Sequence, residues 1–330
     1  MAEDAWAPAR DAGIHRLRIP TPFAVGRVNV YLIEDEPLTL VDSGPNSGIS
    51  LDELERQLAA LDRRIEEIEL ILISHQHLDH IGLVDIIAGR SGAEVAALDR
   101  LAPFVENFRE SMAAEDEFAG EIMLRHGIAP EVVQALRAVS QGFRAWGARA
   151  NVTRALGDGE RIVMRDRTLE VLHRPGHSPT DTVFHDAERR MLIAADHLIA
   201  HVSSNPLLAR PPDGGGERPR SLLNYLESLA QTREMDLDLV LPGHGDPITD
   251  HRLVIDRRFD LHRRRADKIY RLIAEQARTA HELAQAMWGD IAVTQAFLTL
   301  SEVIGHTDIL AAEGRVRELE EDGVVRFEAV

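Results

Sequence analysis

A layered α/β fold is predicted for this chain of 330 residues by three features. Short runs rich in Val, Ile and Leu recur along it, each bounded by turn residues, as strands are. Amphipathic helical patterns lie between several of them. Strands interleaved with helices bury their apolar faces by stacking in layers. The length suits two domains, and 44% hydrophobic with 28% charged residues is ordinary globular composition.

The first strands are Val28–Ile33 and Leu38–Val41, followed by a helix at Leu51–Leu61 with apolar residues at 51, 54, 58 and 61. Leu70–Ile73 is the next strand. An insert at about 99–150 then breaks the rhythm, with no strand signal and two or three helices. Phe104, Phe108 and Met112 share one face at a spacing of four, and Val132, Leu136, Val139, Phe143 and Trp146 make a second stripe. Strands resume at Leu169–Leu172, Met191–Ala195 and Leu239–Leu241, with a loop by composition at Pro211–Gly216. From about 251 the pattern is helical: an Arg-rich helix over 252–277, a second helix capped by Thr279 and carrying Leu283, Ala286 and Met287, and a third over 294–312. Arg315–Val330 reads as a hairpin with Asp322-Gly323 at its turn. This predicts a catalytic domain at 1–250 and a small winged-helix-like unit at 251–330.

Composition narrows the chemistry. Lys plus Arg is 37 and Asp plus Glu 55, a net charge of −18 that works against phosphate-driven nucleic-acid affinity. Cysteine is absent, so there is no disulfide and no thiolate ligand, and any metal must be held by His, Asp or Glu. No apolar run reaches the length that spans a bilayer, and Met1–Arg10 has two acids and no apolar core, unlike a signal peptide. A soluble cytoplasmic protein with no membrane partner is the expectation.

His75-Gln76-His77-Leu78-Asp79-His80 follows the strand Leu70–Ile73 directly. Residues 75 and 77 of an extended turn point to one side, whereas Asp79 and His80 open a helix. The segment can hand two imidazoles to one metal and a carboxylate plus an imidazole to another. Histidine-rich surface runs are the alternative, but they seldom sit at the end of a buried strand. Downstream, His177 lies in Pro175-Gly176-His177, Asp196 ends the run Met191–Ala195, and His244 lies in Pro242-Gly243-His244. Each follows a strand, so all four strand ends can converge on one edge.

These motifs, with Asn29-Val30-Tyr31-Leu32 and Val41-Asp42-Ser43-Gly44, make roughly residues 15–250 resemble the metallo-β-lactamase superfamily, in its glyoxalase-II-like branch. The resemblance implies an αββα sandwich. It implies His75, His77 and His177 as ligands of a first metal, Asp79, His80 and His244 as ligands of a second, and Asp196 as a bridge. Two Zn²⁺ ions suit such a set, as would Fe or Mn by ligand type. The expected reaction is attack by a metal-bridging hydroxide, with Asp79 orienting the nucleophile. Asp42 is either a support for a ligand imidazole or a plain turn residue before Gly44. His197, His201 and Tyr225 are either substrate contacts or, the commoner meaning of such residues, packing and surface positions.

Departures within the superfamily direct the substrate. The chain lacks the cysteine ligand of one β-lactamase group, keeps both His75 and His77 unlike the flavodiiron branch, and has only 48 residues from Asp196 to His244, too few for the β-CASP domain. Three functions from different classes stand. The first is a thioesterase, esterase or lactonase whose small-molecule substrate has an apolar acyl part. The second is an endoribonuclease of the branch that bears a winged helix. The third is a DNA-binding regulator with a vestigial metal site; a persulfide dioxygenase using one iron is a further relative. The insert's aromatics favour an acyl group; Arg257, Arg258, Arg263, Arg264 and Arg265 favour RNA unless they form a solvated helix face. Residues 279–314 hold five acids and no Lys or Arg, so DNA is not an expected partner; the unit is expected to pack on the catalytic domain or on a second copy in a homodimer.

Overall fold

The computed structural model describes residues 4–211, 216–291 and 295–330. Part of the expected loop, 212–215, and Thr294 at the expected start of the last helix lie outside the described residues.

One sheet holds β1 (Ile14–Ile19), β2 (Val28–Ile33), β3 (Thr39–Val41), β4 (Leu70–Ile73), β5 (Glu94–Leu98) and β6 (Arg154–Leu156), side by side in chain order. The second holds β7 (Arg161–Val163), β8 (Thr168–His173), β9 (Thr182–Asp186), β10 (Met191–Ala195) and β11 (Leu239–Pro242), with only β10 and β11 paired in parallel. A separate hairpin joins β12 (Val316–Glu321) and β13 (Val324–Ala329). The helices are α1 (Ala7–Asp11), α2 (Gly48–Ala59), α3 (Leu78–Ile81), α4 (Val84–Ser91), α5 (Ala102–Glu106), α6 (Phe108–Arg125), α7 (Pro130–Phe143), α8 (Ser221–Arg233), α9 (His251–Glu275), α10 (Ala280–Trp288) and α11 (Ala296–Ala312).

Burial explains the four layers. Every residue of β2 is buried, because Val28, Val30 and Leu32 face Leu54 and Leu58 of α2 while Tyr31 and Ile33 face Phe184, Ile193 and Leu241 of the other sheet. A strand covered on both faces reads as a continuous apolar run. Beyond the second sheet, Val183, Leu192 and Val240 pack on Leu222, Tyr225 and Leu229 of α8 and Ile255 of α9. The result is the expected helix–sheet–sheet–helix sandwich. Helix α2 starts at Gly48, earlier than its apolar spacing predicts, because Ser47 caps it by accepting the Ser50 N–H.

The insert forms α5, α6 and α7, and the chain breaks at Asn107, so Phe104 and Phe108 sit on different helices. The face they were expected to share is therefore not one helix face, although both pack with the first sheet's outer core. Ile122, Met123 and Val133 of the insert share a core with Ile269, Leu283, Leu300 and Phe327 from the C-terminal elements. Among the described residues those elements are three helices and a hairpin, and Thr279 closes a reciprocal capping box with Glu282 at the start of α10. The Arg-rich run on α9 is partly consumed: Arg258 donates to the carbonyls of Ile199, Ala200 and Val202, and Arg265 pairs with Glu302.

Candidate metal centre

Strand β4 ends at Ile73, and the chain leaves the sheet through Ser74 and His75 before α3 begins after His77. Helix α3 then presents Asp79 and His80, both buried. His177 lies in the turn after β8, Asp196 immediately after β10, and His244 two residues past the end of β11. Parallel pairing of β10 with β11 brings the last two together. Ala195 takes a left-handed φ of 43° to turn the chain at Asp196.

The seven side chains converge as two groups. In the first, His75, His77, His177 and Asp196 offer donor atoms that all lie within 4.8 Å of one another; Asp79, His80 and His244 do the same in the second. His77 Nδ1 is 3.1 Å from His75 Nε2 and 2.9 Å from His177 Nε2. Asp196 faces both groups, with Oδ2 3.6 Å from His177 Nε2 and 3.5 Å from His244 Nε2, and Oδ1 3.6 Å from His80 Nε2. Asp79 Oδ2 stands 3.4 Å from His244 Nε2.

Most of these rings are held from behind. Asp42 Oδ2 lies 2.7 Å from His80 Nδ1, Ser74 Oγ 3.0 Å from His75 Nδ1, the Asn205 carbonyl 3.2 Å from His177 Nδ1, and the Arg27 carbonyl 3.0 Å from His244 Nδ1. Partners on the outer nitrogen aim the inner one and fix its tautomer. Asp42 also accepts the Ser74 N–H and hydroxyl and has a φ of 63°, so it is far more than a turn residue. Close approach is built into the backbone too: a Cβ on Gly243 would collide with Asp196 Oδ1.

The electrostatics divide the site. Burial, reinforced by neighbouring imidazoles, holds His75 well below the usual histidine range and His77 down to about 3, which keeps both neutral, the form able to bind a metal. Burial also opposes charge on His80 and His244, yet Asp42 and Asp196 raise the first well above its usual value, and Asp196 with Asp79 raises the second to about 10. Burial works against the Asp196 carboxylate as well, but His244 and His80 outweigh it and hold the group well below the usual range. Carboxylates that favour positive charge on these two imidazoles so strongly also favour a metal cation between them. Within the centre, His80 Nε2, His244 Nε2 and Asp196 Oδ1 are buried without a hydrogen-bond partner. Orphaned atoms of this kind cost about 1–3 kcal/mol each unless something fills the space between them. Three imidazoles and a carboxylate fit Zn²⁺ by donor type, and the donors fit a metal centre.

Other residues have plainer roles. His197 is buried against Thr232 at 2.9 Å, and Tyr225 is buried with its hydroxyl donating to the His197 carbonyl, so both belong to the outer core. His201 is exposed beside Gly245. Sequence reading overlooked Gln76, whose side-chain oxygen accepts from Ser178 at 2.9 Å and Thr180 at 2.5 Å and so ties the His77 turn to the His177 turn. Its place inside the histidine motif was the available signal. Asn205 was overlooked as well, and 28 residues separate it from His177, with no motif to link them.

Comparison with known proteins decides the family. A profile described as the metallo-beta-lactamase superfamily matches residues 24–244. The chain belongs to the metallo-β-lactamase superfamily. Among curated members it is 33% identical over 315 residues to a probable metallo-hydrolase, YqjP, of Bacillus subtilis, covering 95% of this chain and 97% of that one. It is 30% identical over 180 residues to the acyl-coenzyme A thioesterase MBLAC2 of Bos taurus, covering 52% of this chain and 58% of that protein. Among solved structures it resembles a metallo-beta-lactamase family protein of Thermus thermophilus, with a TM-score of 0.78, 26% identity, and 96% and 99% of the two chains covered. A beta-lactamase domain protein of Burkholderia ambifaria gives a TM-score of 0.81 at 26% identity, over 96% of this chain and 92% of that one. No helix among the described residues is long and apolar enough to cross a membrane.

Proposed function

We propose that this superfamily member is a metal-dependent hydrolase that cleaves a thioester, ester or lactone with an apolar acyl part at a dinuclear zinc centre. The observation that carries the reading is the set of seven inward-facing donors, most of them fixed from behind, around orphaned buried atoms. In this reading His75, His77 and His177 hold one ion, Asp79, His80 and His244 the other, and Asp196 lies between them. Metal ions bound there supply a nucleophile at neutral pH and polarise the scissile carbonyl. Asp79 is the catalytic carboxylate in this reading: it stands beside His244 of the second group and would orient a metal-bound nucleophile. Asp42, Ser74 and Asn205 position imidazoles and touch no substrate.

The substrate class rests on the cavity beside the centre. It measures 450 Å³, adjoins His77 and His177, and is walled by Phe104, Met112, Leu136 and Phe143 of the insert and by Phe297 of α11. Pockets of roughly 300–1,000 Å³ with apolar walls suit small molecules. Glu115 and Asp116 also line it, as does Arg137. The engagement of Arg258 and Arg265 within the fold removes part of the basic face that an RNA reading requires. The likeness to an acyl-coenzyme A thioesterase supports the acyl reading over part of the chain.

Zinc-loaded protein offered acyl thioesters, lactones and short RNAs is expected to hydrolyse the thioesters or lactones and leave RNA intact. RNA cleavage without ester hydrolysis would refute the proposal. A gel-shift assay on the full chain is expected to show no salt-sensitive, sub-micromolar DNA binding.

A further inference from the structure

A second group of metal-type donors lies away from the catalytic edge, where α9 packs on α11. His262 on α9 meets Glu302 and His306, which stand one turn apart on α11. Both imidazoles are buried, and the donor atoms of the three residues lie within 4.8 Å of one another. We propose that these residues form an additional, structural site for a divalent transition-metal ion, Zn²⁺ by donor type, that clamps α9 to α11.

Three observations support it. His262 Nδ1 and His306 Nε2 are 3.2 Å apart. Two nitrogens bound at about 2.0–2.1 Å on a tetrahedral ion stand about 3.3–3.4 Å apart, and the imidazoles of the catalytic cluster show the same close spacing. Each ring is also held by its other nitrogen. His306 Nδ1 lies 2.6 Å from the Glu302 carbonyl, which places the proton on Nδ1 and leaves the Nε2 lone pair facing His262. Ser203 Oγ lies 3.4 Å from His262 Nε2. Next, Arg265 engages Oε1 of Glu302, while Oε2 is buried without a hydrogen-bond partner, 3.4 Å from His306 Nδ1. The guanidinium thus orients the carboxylate and leaves one oxygen for an ion, at the cost of like-charge repulsion.

The competing arrangement is a hydrogen-bonded chain in which His262 Nδ1–H donates to His306 Nε2 and Ser203 donates to His262 Nε2. It satisfies both rings but leaves Glu302 Oε2 alone. The two arrangements differ in metal content. Full-length protein is loaded with Zn²⁺ alone, passed through a desalting column, and its zinc per chain measured by mass spectrometry. His306→Gln and Glu302→Gln are compared with the parent, the second variant preserving side-chain size should the first fail to fold. Each is expected to carry about one ion fewer per chain while keeping the parent's ester hydrolysis, so the result does not depend on the catalytic reading. Cobalt substitution gives a second readout: absorption of a tetrahedral Co²⁺ centre should weaken in both variants by about one ion's share. Zinc content and cobalt absorption equal to the parent in both folded variants would overturn the site and leave the hydrogen-bonded chain.

Discussion

Asp42→Asn is the sharpest single perturbation of the catalytic centre, because it changes proton positions and almost nothing else. Asn tolerates the left-handed φ of 63° about as well as Asp, so the backbone has no reason to move. Asp42 accepts the Ser74 N–H at 2.9 Å, the Ser74 hydroxyl at 2.8 Å and His80 Nδ1 at 2.7 Å, all buried. A carboxamide cannot serve all three. If its oxygen stays on the Ser74 N–H, its NH₂ faces His80 Nδ1 and drives the ring's proton to Nε2, where the lone pair is needed for metal. If the amide flips, two buried donors confront each other at Ser74, at a cost of about 1–3 kcal/mol. Removing such a support typically lowers metal affinity about 10–100-fold, or about 1.4–2.8 kcal/mol. The expected result is a loss of that size for the ion held by Asp79, His80 and His244, with a smaller effect on the other ion through Ser74 and His75. Competitive titration against a chromophoric zinc chelator, fitted for separate ions, measures it. Affinities unchanged within about threefold for both ions would refute the role given to Asp42.

Asp79→Ala is expected to bring ester hydrolysis to background while the thermal midpoint of the folded protein stays close to the parent's; near-normal turnover would end its catalytic assignment. Phe104→Ala should weaken transition-state binding of a long acyl chain by about 1–3 kcal/mol relative to a short one, because Phe104 walls the cavity, as judged by kcat/KM across a chain-length series. Phe108→Ala is its control: Phe108 is not among the cavity's lining residues and packs in the outer core, so it should cost stability and leave the chain-length profile unchanged. The pH dependence of stability should carry the signature of His126, whose ring burial holds at about 3, helped by Arg218 and Arg125. A histidine depressed in the folded state binds protons in the unfolded chain first, so its contribution is present above about pH 6.5 and is lost as pH falls towards 3. Between pH 7 and pH 5 this amounts to about 2 kcal/mol. Denaturant titrations of His126→Gln should show a pH 7 to pH 5 loss smaller than the parent's by about that amount, and equal losses would exclude His126 as the source.

What the sequence by itself determined is whatever depends on neighbours in the chain. Strand β2 and strand β10 are legible because a strand buried on both faces must be apolar throughout, and α10 is legible because Thr279 and Glu282 cap it locally. The donors from His75 to His80 are legible because a strand end and one helical turn bring them together with no help from elsewhere. Strands β6 and β7, three residues each, carry too little periodicity to be seen and exist through their pairing with β5 and β8. Asp42 was ambiguous in sequence, since its hydrogen bond to His80 spans 38 residues and arises only when β3 pairs with β4. The same holds for Asn205 behind His177, for the cavity wall shared by the insert and α11, and for the facing of His262 with His306 across 44 residues. Periodicity and motif spacing report forces that act within a few residues, whereas which distant side chains come to face one another is set by packing of whole layers. Only the tertiary structure decided those.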